Sequence, residues 1–380
     1  MLQLEGRSAY TADHDFFRDS VRKFLAREFA PHFARWEQQG VVDRDFWIAC
    51  GSAGLLCPTV PEDYGGSGVD FRYNAVVDEE IGYYGVIAGI TLQSDIIADY
   101  LVKYGTEEQK RRYLPRMVSG ELITAIAMTE PNAGSDLQGL RTAARRDGAS
   151  YVINGAKIYI SNGQSADLII VAARSTPQGG SRGTSLLLVE ADRSGFKRGR
   201  KLDKIGQFSA DTSELFFEDV RVPVENLLGA EHGGFAMLMQ QLPQERLSIA
   251  ICAQAAAQRA FDEAVSYTKG RKAFGKTIFD LQHTRFTLAD LAARLQVGWS
   301  HLDWALLRHA AGKLTASEAA TAKYWHTEMQ WHVVDAALQL HGGAGYMNEY
   351  TIARLWRDAR AQRIYGGTSE IMREVIGRTL

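Results

Sequence analysis

From about residue 233 onward the chain is rich in Ala and Leu with few Gly or Pro breaks, and this feature narrows its possible folds more than any other. Leu288, Leu291, Leu295, Leu302 and Leu306 recur at helical spacing. Helices with such a stripe must bury it, and the cheapest partner is another helix. Residues 250–264 are Ala-rich, which suits close helix packing. The pattern predicts a bundle of the four-helix type. Pro243 breaks the preceding chain, so Glu245 and Arg246 are expected in the first turn of the helix that crosses the Ala-rich stretch.

The sequence before this bundle divides in two. Residues 1–120 read as mostly helical, with Phe17, Val21, Phe24, Leu25 and Phe29 at spacings of three and four. "PEDYGGSG" (61–68) is a turn-rich break, and "GTEEQKRRYLPRMVSGE" (105–121) reads as a helix with a Pro-marked exit. Residues 121–232 change to β character. "SYVINGAKIYISNG" predicts a hairpin turning at Asn154-Gly155. "ADLIIVAA", "TSLLLVEA" and "SELFFEDVRV" are short β runs, and "STPQGGSRGTS" (175–185) is a loop between two of them. The expected class is α+β, mostly α, with domains at 1–120 (helical), 121–232 (β) and 233–380 (helical bundle).

Composition excludes several functions. At 46% hydrophobic and 23% charged, with a net charge of −2, the chain has neither a nucleic-acid surface nor a polybasic membrane patch. No apolar run reaches the ~18 residues of a membrane span, and no signal pattern opens the chain. Cys50, Cys57 and Cys252 are too few and scattered for a disulfide framework, so a reducing cytoplasm is the expected setting. His326 and His332 lie six apart, on different helix faces, and no metal-binding motif occurs.

Four stretches can carry chemistry. "AMTEPNAGSD" (127–136) is a polar, backbone-rich turn where the first helical region meets the β region; it suits a heterocycle and a phosphate, or simply links domains. "YTKGRKAFGKTIFDLQ" (267–282) sets Arg271, Lys272 and Lys276 around Phe274 and Gly275, for a pyrophosphate and a base, or as a solvated helix end. "QLHGGAGY" (339–346) allows close backbone approach or caps a helix. "RIYGGTSEIMREVIGR" (363–378) is a Gly-Gly turn opening a helix whose N–H groups favour an oxyanion.

These motifs, with "VPEDYGGSG", "KYGTEEQKRRYLPRMVSGE" and "GAKIYISNG", occur together in the order found in acyl-CoA dehydrogenases, and the chain resembles that flavoenzyme family over nearly its whole length. The resemblance implies an N-terminal helical domain, a middle β domain and a C-terminal four-helix domain, with FAD between the last two and touching a neighbouring subunit. It implies flavin contacts from Ile126, Ala127, Met128, Thr129, Gly134 and Ser135, the last also facing substrate. Tyr159, Ile160 and Ser161 stand where the family has "WIT". Arg271, Phe274, Gln282, Gln339, Gly342 and Gly343 match adenosine and pyrophosphate contacts made across subunits, and Thr368 and Glu370 match further flavin contacts. Arg246 and Gly367 fall at the substrate. The implied partners are an acyl-CoA substrate, an electron-transferring flavoprotein and further copies of the chain, a tetramer being the expected form. Mitochondrial members of the family also admit a matrix setting.

The implied reaction is α,β-dehydrogenation of an acyl thioester. Its base is a carboxylate raised in pKa by a dry pocket, and the thioester oxygen needs a donor, for which the Gly366 N–H is the candidate. Most of the family keeps the base where this chain has Gly366. A minority, including long-chain and isovaleryl-CoA dehydrogenases, keeps it on the helix, and "LPQERL" with "IYGGT" resembles the long-chain branch. Glu245 is therefore the expected base and Glu370 the weaker candidate. An oxidation of a carrier-protein-tethered acyl group, or a catalytically silent thioester-binding protein, are the alternatives.

Overall fold

The computed structural model describes residues 6–85, 88–176 and 182–380; residues 177–181, inside the expected 175–185 loop, lie outside the described residues. Six helices come first: α1 (Ala12–Glu28), α2 (Phe33–Gln39), α3 (Arg44–Ser52), α4 (Phe71–Tyr84), α5 (Ala98–Tyr104) and α6 (Glu107–Val118). A π-helical turn, Leu92–Ile97, runs directly into α5. Val21, Phe24, Leu25 and Phe29 are buried in one core, as their spacing required. Thr106 and Gln109 form a capping box that starts α6. Pro115 does not end this helix but lies inside it. Proline there removes one backbone bond, while Tyr113, Leu114 and Met117 on either side of it are buried. Their burial holds the last turn in place.

The middle of the chain forms an eight-stranded sheet: β1 (Thr124–Ala127), β2 (Ala143–Asp147), β3 (Ser150–Ser161), β4 (Leu168–Arg174), β5 (Thr184–Glu190), β6 (Phe196–Lys201), β7 (Thr212–Pro223) and β8 (Leu227–Leu228). Its order is β6-β7-β3-β2-β4-β5-β8, with β1 parallel to β4. The strand β4 explains its own unbroken apolar sequence. Leu168, Ile170 and Ala172 pack into the core shared with the N-terminal helices. Ile169, Val171 and Ala173 pack into the core of the β region. A strand buried on both faces has no reason to alternate with polar residues.

The hairpin expected at Asn154-Gly155 is not formed. The chain turns instead at Gly148, and β3 runs straight through 154–155 with a register shift against β7. The Asn-Gly pair serves the bulge. Gly155 has a φ of 153°, and a Cβ there would collide with Thr142. Asn154 exchanges hydrogen bonds with Asp219 on the neighbouring strand, at 2.9 Å in each direction.

The C-terminal region holds three long helices, α7 (Gly234–Gly270), α8 (Gln282–Ala310) and α9 (Ala316–His341), with α10 (Thr351–Ala359) and α11 (Ser369–Gly377) packed on α9. All five leucines of the stripe are buried. Ala250, Ala253, Ala257, Ala260 and Ala264 are fully buried, and α7 packs closely along α9. Pro243 again lies within a helix, α7, so Glu245 sits in the helix body and not in its first turn. The helix begins earlier, at Gly234, because Gly234, Met237 and Leu238 already pack inward, the last two in the N-terminal core. No described helix is long and apolar enough to cross a membrane.

Candidate active site

Glu245 is buried, 4% exposed, on the face of α7 turned toward α5. Its Oε1 accepts a hydrogen bond from the Tyr100 hydroxyl at 3.2 Å. Burial pushes its carboxyl up to about 7, with Asp99 adding to the rise and the Tyr100 bond and the Arg246 charge opposing it. A carboxyl near neutrality has the proton affinity a general base needs at physiological pH. Glu370 has the opposite character. It is exposed in the first turn of α11, where backbone hydrogen bonding and Thr368 hold it below the usual carboxylate range.

The Gly366-Gly367 turn faces Glu245's helix. Arg246 Nε donates to the Gly366 carbonyl at 3.4 Å, and Lys323 Nζ on α9 donates to the Gly367 carbonyl at 2.7 Å. Both glycines have positive φ, 65° and 96°. Among the described residues nothing in the chain accepts the Gly366 N–H. With both carbonyls held by buried cations, that N–H remains available to an incoming oxygen. The space beside Gly366 is not empty, however: a Cβ there would run into Ile249 Cδ1, one turn beyond Glu245. Thr368 caps α11, its hydroxyl accepting from the Ile371 N–H at 3.3 Å.

Ile126 and Ala127 end β1 in the core, while Met128 and Thr129 are half-buried and Gly134 and Ser135 exposed. Beside them lies β3, where the Ile158 N–H donates to the Thr129 carbonyl at 3.0 Å. Tyr159 stands out at 65% exposure with a φ of 61°, Ile160 is buried and Ser161 exposed. Lys157, fully buried, pins the loop by donating to the Met128 carbonyl and to Glu130 Oε1, each at 2.9 Å. Burial pulls Lys157 down to about 8. Burial alone would raise Glu130, but Lys157 and hydrogen bonds from Thr142 and Arg141 hold it below its ordinary value. Both directions leave the pair ionised at pH 7.

Arg271, Phe274 and Gln282 surround a short hairpin of β9 (Lys272–Ala273) and β10 (Lys276–Thr277), with Phe274 89% exposed at its tip. Tyr267 stacks on His341 at 4.3 Å, which brings this hairpin beside Gln339, Gly342 and Gly343 at the end of α9. Gly342 is the C-cap of α9, and a Cβ on Gly342 or Gly343 would meet nothing within 4 Å. Among the described residues no hydrogen bond, ion pair or ring contact joins this group to residues 126–135 or 159–161.

The residues fit a flavin dinucleotide. Tyr159 is an exposed aromatic at a half-buried loop, and Gly134 leaves open space where a Cβ would sit. The second group offers an exposed aromatic, three cations and open glycine backbone, suited to a base and a pyrophosphate. Among the described residues no three His, Cys, Asp or Glu side chains gather to hold a metal ion. His326 is buried against His301 and Gln254, and His332 is exposed near Asp290.

Sequence reasoning missed Tyr100, Lys157, Ile249 and Lys323. Only the lysines carried a signal, as charges inside strongly apolar patterns.

The family models described as acyl-CoA dehydrogenase N-terminal, middle and C-terminal domains match residues 11–121, 125–220 and 232–380. A mitochondrial long-chain specific acyl-CoA dehydrogenase from Sus scrofa is 48% identical over 377 residues, 98% of this chain and 88% of the relative. The crystal structure of an acyl-CoA dehydrogenase from Geobacillus kaustophilus superposes with a TM-score of 0.96 at 49% identity, covering 97% of this chain and 98% of that one. A glutaryl-CoA dehydrogenase from Mycobacterium smegmatis, solved in complex with FADH2, superposes with a TM-score of 0.92 at 26% identity, covering 99% and 96%.

Proposed function

The chain belongs to the acyl-CoA dehydrogenase family, and from that membership we propose how its residues divide the reaction. It is an oxidoreductase that dehydrogenates an acyl-CoA thioester with FAD as cofactor. Bound in its site, FAD supplies the acceptor for the hydrogen that leaves Cβ as hydride. Glu245 takes the α-proton, so that the Cα–H and Cβ–H bonds break and a trans double bond forms between the two carbons. The Gly366 N–H steadies the thioester oxygen as charge builds on it. Arg246 and Lys323 hold the turn that presents that N–H. Met128, Thr129 and Tyr159 bind and shield one end of the cofactor, with the Lys157–Glu130 pair fixing the loop.

The observation that carries this reading is a buried carboxyl, raised to about 7, on the helix that touches the Gly366 turn through Arg246. Neither an acyl-carrier oxidation nor a silent binding protein is favoured by the names of the relatives. We further propose a long or branched acyl chain, supported by the pairing of "LPQERL" with "IYGGT". The family supports an electron-transferring flavoprotein as acceptor, and the three free cysteines suit a reducing compartment, the cytoplasm or, as in the mitochondrial relatives, the matrix. A homotetramer is supported by the family resemblance, in which the group at 271–343 serves the flavin of a neighbouring copy.

The test is anaerobic mixing of the FAD-loaded protein with a panel of acyl-CoA thioesters. Wild type bleaches its flavin, fastest with longer chains. Glu245→Gln keeps FAD and binds thioester but bleaches ~10²–10⁴-fold more slowly. Wild-type bleaching in Glu245→Gln would show that the base lies elsewhere, and a preference for butyryl-CoA would refute the long-chain reading.

A further inference from the structure

One face of α7 is read by the π-turn and α5 at four consecutive helical contacts. Gln241 Nε2 donates to Asp99 Oδ2 at 2.7 Å, and Gln244 Nε2 to the Asp95 carbonyl at 2.5 Å. Glu245 Oε1 accepts from Tyr100 at 3.2 Å, and the Ser248 hydroxyl donates to Asp95 Oδ2 at 2.6 Å. Positions 241, 244, 245 and 248 are the i, i+3, i+4 and i+7 of one stripe. Two of the contacts come from Asp95 inside the π-turn and two from α5 beyond it. Such turns shift the side chains that follow them, and they recur at functional sites. Here the four bonds lock the rotation and height of α7 against α5. Tyr100 is fully buried.

We propose that Tyr100 is the positioning residue for the base: its hydroxyl stabilises the Glu245 carboxylate through Oε1 and leaves Oε2 to take the α-proton. The inference rests on the reading of Glu245 as base. Tyr100 does not titrate in the working range, because burial and the adjacent Glu245 push its hydroxyl well above the usual phenol value. It remains a donor throughout. The other charged groups at Glu245 are Asp99, paired with Lys103 on α5, and Arg246, with Lys323 beyond it on α9. Asp99 raises the carboxyl and Arg246 lowers it. Removing the tyrosine hydroxyl leaves these in place and takes away a hydrogen bond that is stronger to the charged form than to the neutral one.

The experiment compares the pH profile of kcat/KM for wild type, Tyr100→Phe and Glu245→Gln, all loaded with FAD. In Tyr100→Phe the acid limb should move up by about one to two pH units. Near pH 6 activity should then fall about ten- to hundredfold, and at alkaline pH the two profiles should converge. A merely structural role would lower activity by the same factor at every pH, and that result, or an unmoved limb, would overturn the proposal. Should Tyr100→Phe fail to fold, a fluorinated tyrosine at position 100 keeps the shape and makes a stronger donor; its limb should move to lower pH, and an unmoved limb again overturns the proposal. If Glu245→Gln itself turns over normally, the base assignment fails, a result separate from the behaviour of Tyr100.

Discussion

Glu245 should cost the protein stability in the pH range where it works. Its carboxyl is raised from an ordinary 4.5 to about 7, with burial as the largest cause. At 1.36 kcal/mol per pH unit, this corresponds to ~3 kcal/mol between the two protonation states. The sign follows from linkage. Below 4.5 the group is protonated in both folded and unfolded chains, and the full stability is present. As pH rises from 4.5 to 7 the unfolded chain loses its proton first, and stability drains away until the folded carboxyl has ionised too. Gln at 245 keeps the shape and still accepts from Tyr100, but it has no charge to bury. Urea unfolding of wild type and Glu245→Gln, both with saturating FAD, isolates this one group, since all other titrations cancel in the difference. The gap should shift toward the variant by ~3 kcal/mol in all, most of it between pH 5 and 7. The same ionisation should make wild-type kcat/KM rise about tenfold from pH 6 to pH 8. A stability gap that stays constant with pH, or moves toward wild type as pH rises, would refute the argument that burial makes this residue a base.

Three other outcomes are expected. Lys157→Met strands Glu130 as a buried charge, so it should destabilise the β region by ~3–5 kcal/mol and lower FAD content, with Lys157→Met/Glu130→Gln recovering part of the loss in a thermal melt. Arg271→Ala should weaken FAD retention through the lost phosphate contact, measured as flavin released on gel filtration; a monomer that holds FAD tightly would contradict the shared site. Moving the carboxylate by Glu245→Gly with Gly366→Glu should restore some of the flavin bleaching lost in Glu245→Gly, and adding Ile249→Ala should raise it further, because the tip of Ile249 must shift to admit a side chain at 366.

Periodicity made the helical regions legible, and unbroken apolar runs made the sheet legible, because both patterns report burial directly. Turn chemistry was less dependable. Asn154-Gly155 has the composition of a hairpin turn, yet the same freedom in φ serves a bulge where β3 passes Thr142. Pro115 and Pro243 read as breaks, yet each lies inside a helix whose flanking side chains are buried. The site divided in a similar way. Glu245 and the Gly366 turn were visible because motifs carried them. Tyr100 and Lys323 were not, since each acts through a contact to a residue distant in sequence: 145 positions for Tyr100 and 44 for Lys323.

The absence of a side chain at residue 366 is therefore tied to more than the location of the base. Gly366 takes a φ of 65°, which a side-chain-bearing residue adopts only under strain of order 1–3 kcal/mol. Its Cβ position is claimed by Ile249, and its carbonyl by Arg246. Glu245, Arg246 and Ile249 are consecutive points on one side of α7, so a single helix supplies the proton acceptor, the cation that orients the turn and the apolar group that closes the gap. A chain that moved its base to the turn would have to shift the Ile249 tip and hold a side-chain-bearing residue at positive φ, while the Arg246 contact to the backbone carbonyl could stay. "LPQERLSIA" and "IYGGT" are read as a pair because Arg246 and Ile249 of the first meet the second at Gly366.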